Sequence, residues 1–84
     1  MYYVYAISSQ IRKYIYVGLT DNIERRIFQH NSGKSRTTKS YRPFVLIYSQ
    51  EFTTRTQARE KEKYLKSGIG KEYLKNKLLN ICSN

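Results

Sequence analysis

Two short runs of alternating side chains near the N-terminus predict a β-hairpin. The runs, Tyr2–Ile7 and Tyr14–Leu19, are rich in Tyr, Val and Ile, and a mostly polar stretch of hairpin length, Ser8–Lys13, connects them. These residue types favour a pleated, half-buried surface. Because alternate side chains share one face of a strand, one face of the hairpin is aliphatic and the other phenolic. The phenolic face carries Tyr3, Tyr5, Tyr14, Tyr16 and Gly18.

A third apolar run predicts the last strand of a small sheet. Val45–Phe52 is nearly continuously apolar, so we expect it to be covered on both faces. Pro43 precedes it, a position that suits the start of an edge strand. The expected fold class is α/β (α+β), with a three-stranded, mainly antiparallel sheet flanked by three helices. A length of 84 residues predicts one domain over residues 1–84.

Helical spacing of apolar residues predicts three helices, over Asn22–Asn31, Arg55–Lys66 and Lys71–Ile81. Asp21 or Thr20 is the expected cap of the first helix, and Gly33 is expected to end it in a left-handed conformation. The glycines of Gly68–Gly70 predict a flexible turn before the third helix. On that helix Leu74, Leu78 and Ile81 share one face.

The first helix places two polar side chains beside its apolar stripe. Ile23 and Ile27 form this stripe at about 100° per residue. Arg26 and His30, four residues apart, lie together next to it. Arg25 points to the opposite side, into water. Arg26 and His30 are therefore expected where the helix meets the body of the protein, as structural side chains or as a functional pair.

The second helix carries a carboxylate on its inward stripe. Ala58, Glu62 and Leu65 form that stripe, whereas Glu60 projects away. An inward carboxylate is costly unless it is paired or binds a metal ion. Glu62 is therefore either part of a buried ion pair, with Arg26 as a candidate partner, or a ligand for a divalent cation such as Mg²⁺.

The charge balance indicates a polyanionic partner. The chain has sixteen Lys and Arg residues and six Asp and Glu residues, which gives a net charge of +10. Nucleic acid is the leading partner, because neutralising its phosphates releases counterions. A ribosomal-type role, an acidic protein partner and simple solubility are the alternatives.

The stretch Gly33–Pro43 has four cations and no carboxylate, which predicts a loop. It is either a solvated linker or a mobile basic arm that contacts phosphates. Tyr41 is placed to stack on an unpaired base. The candidate nucleic-acid contacts are Lys34, Arg36, Lys39, Tyr41 and Arg42.

The composition excludes several classes of protein. Cys82 is the only cysteine, so no internal disulfide or thiolate metal cluster forms, and a reducing compartment is the default. The chain has no apolar run long enough to span a membrane and no signal-peptide pattern. We therefore expect a soluble cytoplasmic protein.

Together these residues resemble the GIY-YIG endonuclease superfamily, in particular its small stand-alone bacterial members. Those members are similar to the N-terminal nuclease domain of the incision protein of nucleotide excision repair. Tyr3–Tyr5 looks like the first motif of the family and Tyr16–Gly18 like the second. Arg26 lies ten residues after Tyr16, where the family has its arginine. His30 and Glu62 fall where the family carries a His or Tyr and its metal-binding glutamate.

The resemblance implies a metal-dependent DNA endonuclease that hydrolyses phosphodiester bonds. Glu62 would hold Mg²⁺ or Mn²⁺, mainly when substrate is present. Either Tyr5 or Tyr16 would be the general base, and the other would position water or phosphate. Arg26 would clamp the scissile phosphate, and His30 would relay a proton or bind phosphate.

The resemblance also implies that Gly18 lets the DNA backbone approach the site closely. Specificity would come from DNA shape, a protein partner or a homodimer. The alternatives are a nucleic-acid-binding module of the same fold with weak or partner-dependent nuclease activity, and a structural RNA-binding protein whose tyrosines stack on bases. The inward Glu62 favours the nuclease, because a carboxylate that faces phosphate would only weaken a pure binder.

Overall fold

A central strand organises the sheet. The computed structural model describes the backbone of residues 1–82 and the side chains of residues 1–78. Strands β1 (Tyr2–Ser9), β2 (Ile15–Thr20) and β3 (Phe44–Phe52) form one sheet in the order β2-β1-β3. Both pairings are antiparallel, so β1 has a hydrogen-bonded neighbour on each side. The two strands of the predicted hairpin are therefore the central strand, β1, and one edge strand, β2.

Three helices flank the sheet: α1 (Ile23–Asn31), α2 (Arg55–Lys66) and α3 (Gly68–Cys82). A short 3₁₀ turn, Lys39–Tyr41, interrupts the loop between α1 and β3. The predicted fold class is thus confirmed. None of the described helices is long and apolar enough to cross a membrane.

The two faces of the sheet bury different kinds of side chain, as the alternation predicts. On one face an aliphatic cluster packs under α2 and α3. Its buried members are Val4, Ala6, Val17, Ile47, Ala58, Leu65 and Leu74. On the other face an aromatic cluster packs under α1. It consists of Tyr5, Ile7 and Phe44 with Tyr14, Tyr16, Ile23, Ile27 and Tyr41 around them. The hairpin therefore separates a structural face from a phenolic one.

The cap of α1 is Asn22, so the prediction of Asp21 or Thr20 was wrong. The Asn22 Oδ1 atom accepts a hydrogen bond of 3.0 Å from the Arg25 amide. Thr20 instead accepts from the Asn22 amide at 3.1 Å, and Asp21 forms an exposed ion pair with Arg25. Gly33 follows the helix with a φ of 83°, the left-handed conformation predicted for it.

Strand β3 is not covered on both faces, which corrects the prediction from its apolar run. It lies at the edge of the sheet, and the adjacent residues Val45 and Leu46 are 39% and 38% exposed. The pairing with β1 shifts register, which leaves Ile47 as an extra residue. Ile47 and Tyr48 consequently both pack into the aliphatic cluster. The apolar run thus belongs to an edge strand with a bulge, and not to a strand buried on both faces.

The glycines of Gly68–Gly70 form the first turn of α3 rather than a flexible turn. The Ser67 hydroxyl accepts from the Gly70 amide at 3.3 Å and caps the helix, which outweighs the weak helix propensity of glycine. A Cβ atom on Gly70 would lie 2.5 Å from the Leu65 Cα, so the glycine allows α3 to pack closely against α2. Along α3, Leu74 is buried and Leu78 half-buried; the Ile81 side chain lies outside the described residues.

Candidate active site

Tyr5 occupies the centre of the phenolic face. It is fully buried on the central strand, and its cross-strand partner is Gly18. A Cβ atom on Gly18 would lie 2.5 Å from the Tyr5 Oη and 2.6 Å from its Cζ, so the phenol fills the space that a side chain would need. Gly18 is itself buried. The absence of a side chain at Gly18 therefore makes room for the Tyr5 ring.

His30 links Tyr5 to the loop after α1. Its ring is fully buried, and its Nε2 atom lies 2.9 Å from the Tyr5 Oη. Its Nδ1 atom lies 2.7 Å from the hydroxyl oxygen of Thr38, which is also fully buried. Sequence reasoning missed Thr38, because it sits in a polar loop without periodicity. The three side chains form one hydrogen-bonded chain inside the protein.

Tyr16 and Arg26 flank this chain on its more open side. The half-buried Tyr16 ring lies 6.3 Å from the Tyr5 ring and 4.9 Å from the His30 ring, centroid to centroid. Arg26 is half-buried, and its guanidinium donates to the Gln29 amide oxygen at 2.9 Å. This contact tethers the arginine along α1 while its charge acts on the Tyr5 phenol. The structure thus brings Arg26 towards the tyrosines.

Glu62 lies on the inward side of α2 with 12% of its side chain exposed. Its carboxylate pairs with Lys66 at 3.2 Å and with Arg59 at 3.9 Å, both on the same helix. The ion-pair partner suggested from the sequence, Arg26, is therefore corrected to these two cations. The negative charge of Glu62 nevertheless contributes to the field at Tyr5.

Burial sets the protonation states at the centre of the site. Burial raises the pKa of Tyr5 to about 12; nearby Tyr16 and Glu62 also raise it, whereas Arg26 lowers it. Burial, together with the Arg26 charge, lowers the pKa of His30 to about 4. At neutral pH the protein therefore holds a protonated phenol against a neutral imidazole.

The C-terminal part of the basic loop packs on the body of the protein through Tyr41. The Tyr41 ring stacks on Tyr14 with 4.1 Å between centroids, and the Arg12 guanidinium lies 6.0 Å from the Tyr41 centroid. The Ser9 hydroxyl donates to the Tyr41 carbonyl at 2.5 Å. Tyr41 is thus already engaged as a stacking partner within the fold. The exposed cations of the loop are Lys34, Arg36, Lys39 and Arg42.

The donor set for a metal ion is small. Among the described side chains, no group of three His, Cys, Asp or Glu residues comes together. Glu62 supplies an inward carboxylate, and hard cations such as Mg²⁺ favour oxygen ligands of this kind. Such a site fits an ion that is held mostly by substrate phosphate and water, and does not fit a preformed protein cage.

Comparison with known proteins identifies the family. Residues 1–77 match the model of the GIY-YIG catalytic domain. A UPF0213 protein of Staphylococcus haemolyticus is 36% identical over 75 residues, which cover 88% of this chain and 90% of that protein. A UPF0213 protein of Staphylococcus saprophyticus is 32% identical over the same coverage.

A solved structure supports the same assignment. The solution NMR structure of a UPF0213 protein from Bacillus halodurans aligns with a TM-score of 0.54 and 32% identity. The alignment covers 90% of this chain and 84% of that one. The resemblance identified from the tyrosine motifs is therefore confirmed, and the chain belongs to the GIY-YIG catalytic domain family.

Proposed function

We propose that this chain is a divalent-metal-dependent endonuclease that hydrolyses phosphodiester bonds in DNA. The observation that carries the proposal is the convergence of unlike groups on one phenol. Tyr5 lies on the central strand. The Arg26 guanidinium on α1 lowers the pKa of its phenol, and the Glu62 carboxylate on α2 raises it. A tyrosine, a phosphate-binding cation and a metal-binding carboxylate can together supply a base, charge stabilisation and a metal ligand for such hydrolysis. Membership of the GIY-YIG family supports the assignment.

Arg26 is the group that would clamp the scissile phosphate. A guanidinium can hold two phosphate oxygens at once and offset the charge that develops on them during attack. The contact with Gln29 restrains the side chain, so less conformational freedom is lost when phosphate binds. The neighbouring Arg25, exposed and paired with Asp21, has no comparable position.

Tyr16 is the better candidate for the general base. Tyr5 is fully buried, its oxygen is engaged by His30, and burial raises its pKa to about 12. Tyr16 is only half-buried and lies beside the same centre, so an attacking water can reach it. Tyr5, which is fully buried, would instead hold the His30 ring in place through their hydrogen bond.

Glu62 would hold the divalent cation, Mg²⁺ or Mn²⁺. When bound, the ion would polarise a phosphoryl oxygen and stabilise the leaving oxygen. In the free protein the Glu62 carboxylate forms ion pairs with Lys66 and Arg59, so it is not an unpaired buried charge. We expect weak metal binding without DNA and stronger binding with it, because one carboxylate leaves most ligand positions to substrate and water.

The anchored basic loop would position the DNA backbone. Its exposed cations, Lys34, Arg36, Lys39 and Arg42, follow directly after α1, the helix that carries Arg26. Contacts of this kind fix the register of a duplex without reading its sequence. A protein partner or a homodimer would then have to add specificity.

A second candidate function is a nucleic-acid-binding module with weak or partner-dependent nuclease activity. The ion pairs of Glu62 with Lys66 and Arg59 favour it, since they satisfy the carboxylate without any metal. The net charge of +10 suits both functions. Cleavage therefore has to distinguish them.

The test is a cleavage assay on duplex, nicked, branched, mismatched and single-stranded DNA, each with Mg²⁺, Mn²⁺ or chelator. Arg26→Lys is compared with Arg25→Lys, a matched change at the adjacent position. We expect metal-dependent cutting by wild type and Arg25→Lys, and strongly reduced cutting by Arg26→Lys because lysine cannot form the two-pronged contact. If all three proteins bind DNA tightly in a salt-sensitive way and none cuts it, the chain is a binding module and the nuclease proposal is wrong.

A further inference from the structure

The side of α2 that carries Glu62 is lined by cations. Arg55, Arg59 and Lys66 share this side with Glu62, because helical residues three, four or seven positions apart lie on one face. All three cations are exposed. We call Arg55, Arg59 and Lys66 the α2 stripe. Glu62 is thus a single carboxylate in the middle of a cationic surface.

Two cations of the α2 stripe are directed at this carboxylate. The Lys66 Nζ atom lies 3.2 Å from one oxygen of Glu62, and the Arg59 guanidinium lies 3.9 Å from the other. The side chains of Lys66 and Arg59 are 56% and 54% exposed, whereas that of Glu62 is 12% exposed. The carboxylate therefore lies beneath its partners, which remain open to solvent. Ion pairs of such exposed cations are weak, so a phosphate group that arrives from solvent can replace the carboxylate as their partner.

The α2 stripe borders the candidate active site from a different side than the basic loop does. Helix α2 packs on the aliphatic face of the sheet, whereas α1 and Tyr41 of the basic loop pack on the aromatic face. Besides burial and Tyr16, the charge of Glu62 raises the pKa of the Tyr5 phenol, so the carboxylate within the stripe acts on the centre of the site. The sequence indicated phosphate contacts in the loop alone. The structure places a second set of cations next to the site.

We infer that the α2 stripe is a second phosphate-binding surface, and that Arg59 and Lys66 exchange the Glu62 carboxylate for DNA phosphates when substrate binds. The choice of DNA as the ligand rests on the proposed function. The exchange leaves the Glu62 oxygens free only when phosphate is present, which couples the proposed metal ligand to the substrate. The competing explanation is that these ion pairs only stabilise the helix, as Glu and Lys four residues apart do.

The experiment is fluorescence anisotropy of a labelled DNA duplex in chelator, over a range of salt concentrations. Arg59→Ala/Lys66→Ala is compared with Lys61→Ala/Lys63→Ala, which removes two cations from the same helix, about 100° from Glu62 on either side. We expect the slope of log Kd against log salt to fall by about two in the first double variant, about one for each lost phosphate contact. The second double variant should keep most of the wild-type slope.

Two results would overturn the phosphate-binding surface. Equal slopes in the two double variants would mean that the stripe acts only through the total charge. An unchanged slope in Arg59→Ala/Lys66→Ala, with a lower Tm, would mean that the ion pairs serve only the helix. If this double variant does not fold, Lys66→Gln against Lys63→Gln makes the same comparison, with an expected difference in slope of about one.

Glu62→Gln tests the exchange of partners. Without the carboxylate, Arg59 and Lys66 have no competing partner, so DNA binding in chelator should become tighter. In the Arg59→Ala/Lys66→Ala background the same change should tighten binding less, because the two cations that it releases are gone. Equal tightening in both backgrounds would overturn the exchange, since Glu62 would then act on DNA only through its own charge.

These measurements need no cleavage, so the inference and the nuclease can fail separately. If wild type cuts DNA and the two double variants have equal slopes, the α2 stripe is not a phosphate-binding surface and the nuclease stands. If the slopes differ as expected and wild type cuts none of the DNAs, the surface stands and the nuclease proposal is wrong.

Discussion

Replacing Gly18 with alanine should dislodge Tyr5 from its hydrogen bond. The alanine Cβ would lie 2.5 Å from the Tyr5 Oη, about 0.9 Å inside the 3.4 Å at which ordinary contact begins. The neighbouring atom is the end of a rigid, fully buried ring, so it cannot swing aside as a flexible side chain would. A ring shift of that size would lengthen the 2.9 Å bond to His30 beyond hydrogen-bonding distance.

The magnitude follows from these contacts. Overpacking a buried site costs about 1–3 kcal/mol, and the lost hydrogen bond adds about 1 kcal/mol. Replacing a strand glycine returns about 0.5 kcal/mol of backbone entropy. The net loss is about 1.5–3.5 kcal/mol, which in a domain of this size lowers Tm by roughly 6–28 °C.

The assay is thermal and urea unfolding of Gly18→Ala beside wild type, with Gly68→Ala as the matched control. Gly68 is exposed in the first turn of α3, with nothing within 4 Å of an added Cβ. Its replacement should be neutral or stabilise by up to about 1 kcal/mol, because alanine favours the helix. A Gly18→Ala protein as stable as wild type, with an unchanged ¹⁵N NMR spectrum of the His30 ring, would refute the packing argument.

Three further predictions address the base, the histidine and the loop. Tyr16→Phe should slow single-turnover cleavage about 10²-fold or more, whereas Tyr14→Phe should not; equal rates would exclude Tyr16 as the base. Urea unfolding should show stability falling as the pH drops from 6.5 to 4, because unfolded His30 takes up a proton at its usual pKa and the folded ring resists it until about 4. His30→Gln should lack this component, and an unchanged slope would contradict it. Replacing Lys34 and Arg36 with alanine should reduce the slope of log Kd against log salt by about one per lost phosphate contact, and Lys75→Ala, on α3, should leave it unchanged.

The parts of the site on regular elements could be predicted from the sequence. Alternation along β1 and β2 places Tyr5 and Tyr16 on one face, because side chains two residues apart in a strand point to the same face. Helical projection likewise separates Arg26 from the exposed Arg25, since one residue rotates a side chain by about 100°. Both are local rules, and they hold without knowledge of the tertiary structure.

The remaining features depend on how the elements pack. Thr38 lies in a loop, so no periodicity indicates that it meets His30. The exposure of Leu46 depends on the strand order, which an apolar run does not encode. The stack of Tyr41 on Tyr14 joins residues 27 positions apart, and it packs the end of the basic loop against the sheet. Such pairings are set by the fold and are visible only in three dimensions.

The most direct test of the nuclease is single-turnover cleavage by wild type, Glu62→Gln and Glu60→Gln, with metal removed by chelation and then restored. The two changes are chemically identical on one helix, but Glu62 lies inward and Glu60 is exposed. The proposal predicts cutting that stops in chelator, resumes with Mg²⁺ or Mn²⁺, persists in Glu60→Gln and is lost in Glu62→Gln. Metal-dependent cutting at the wild-type rate by Glu62→Gln would contradict it.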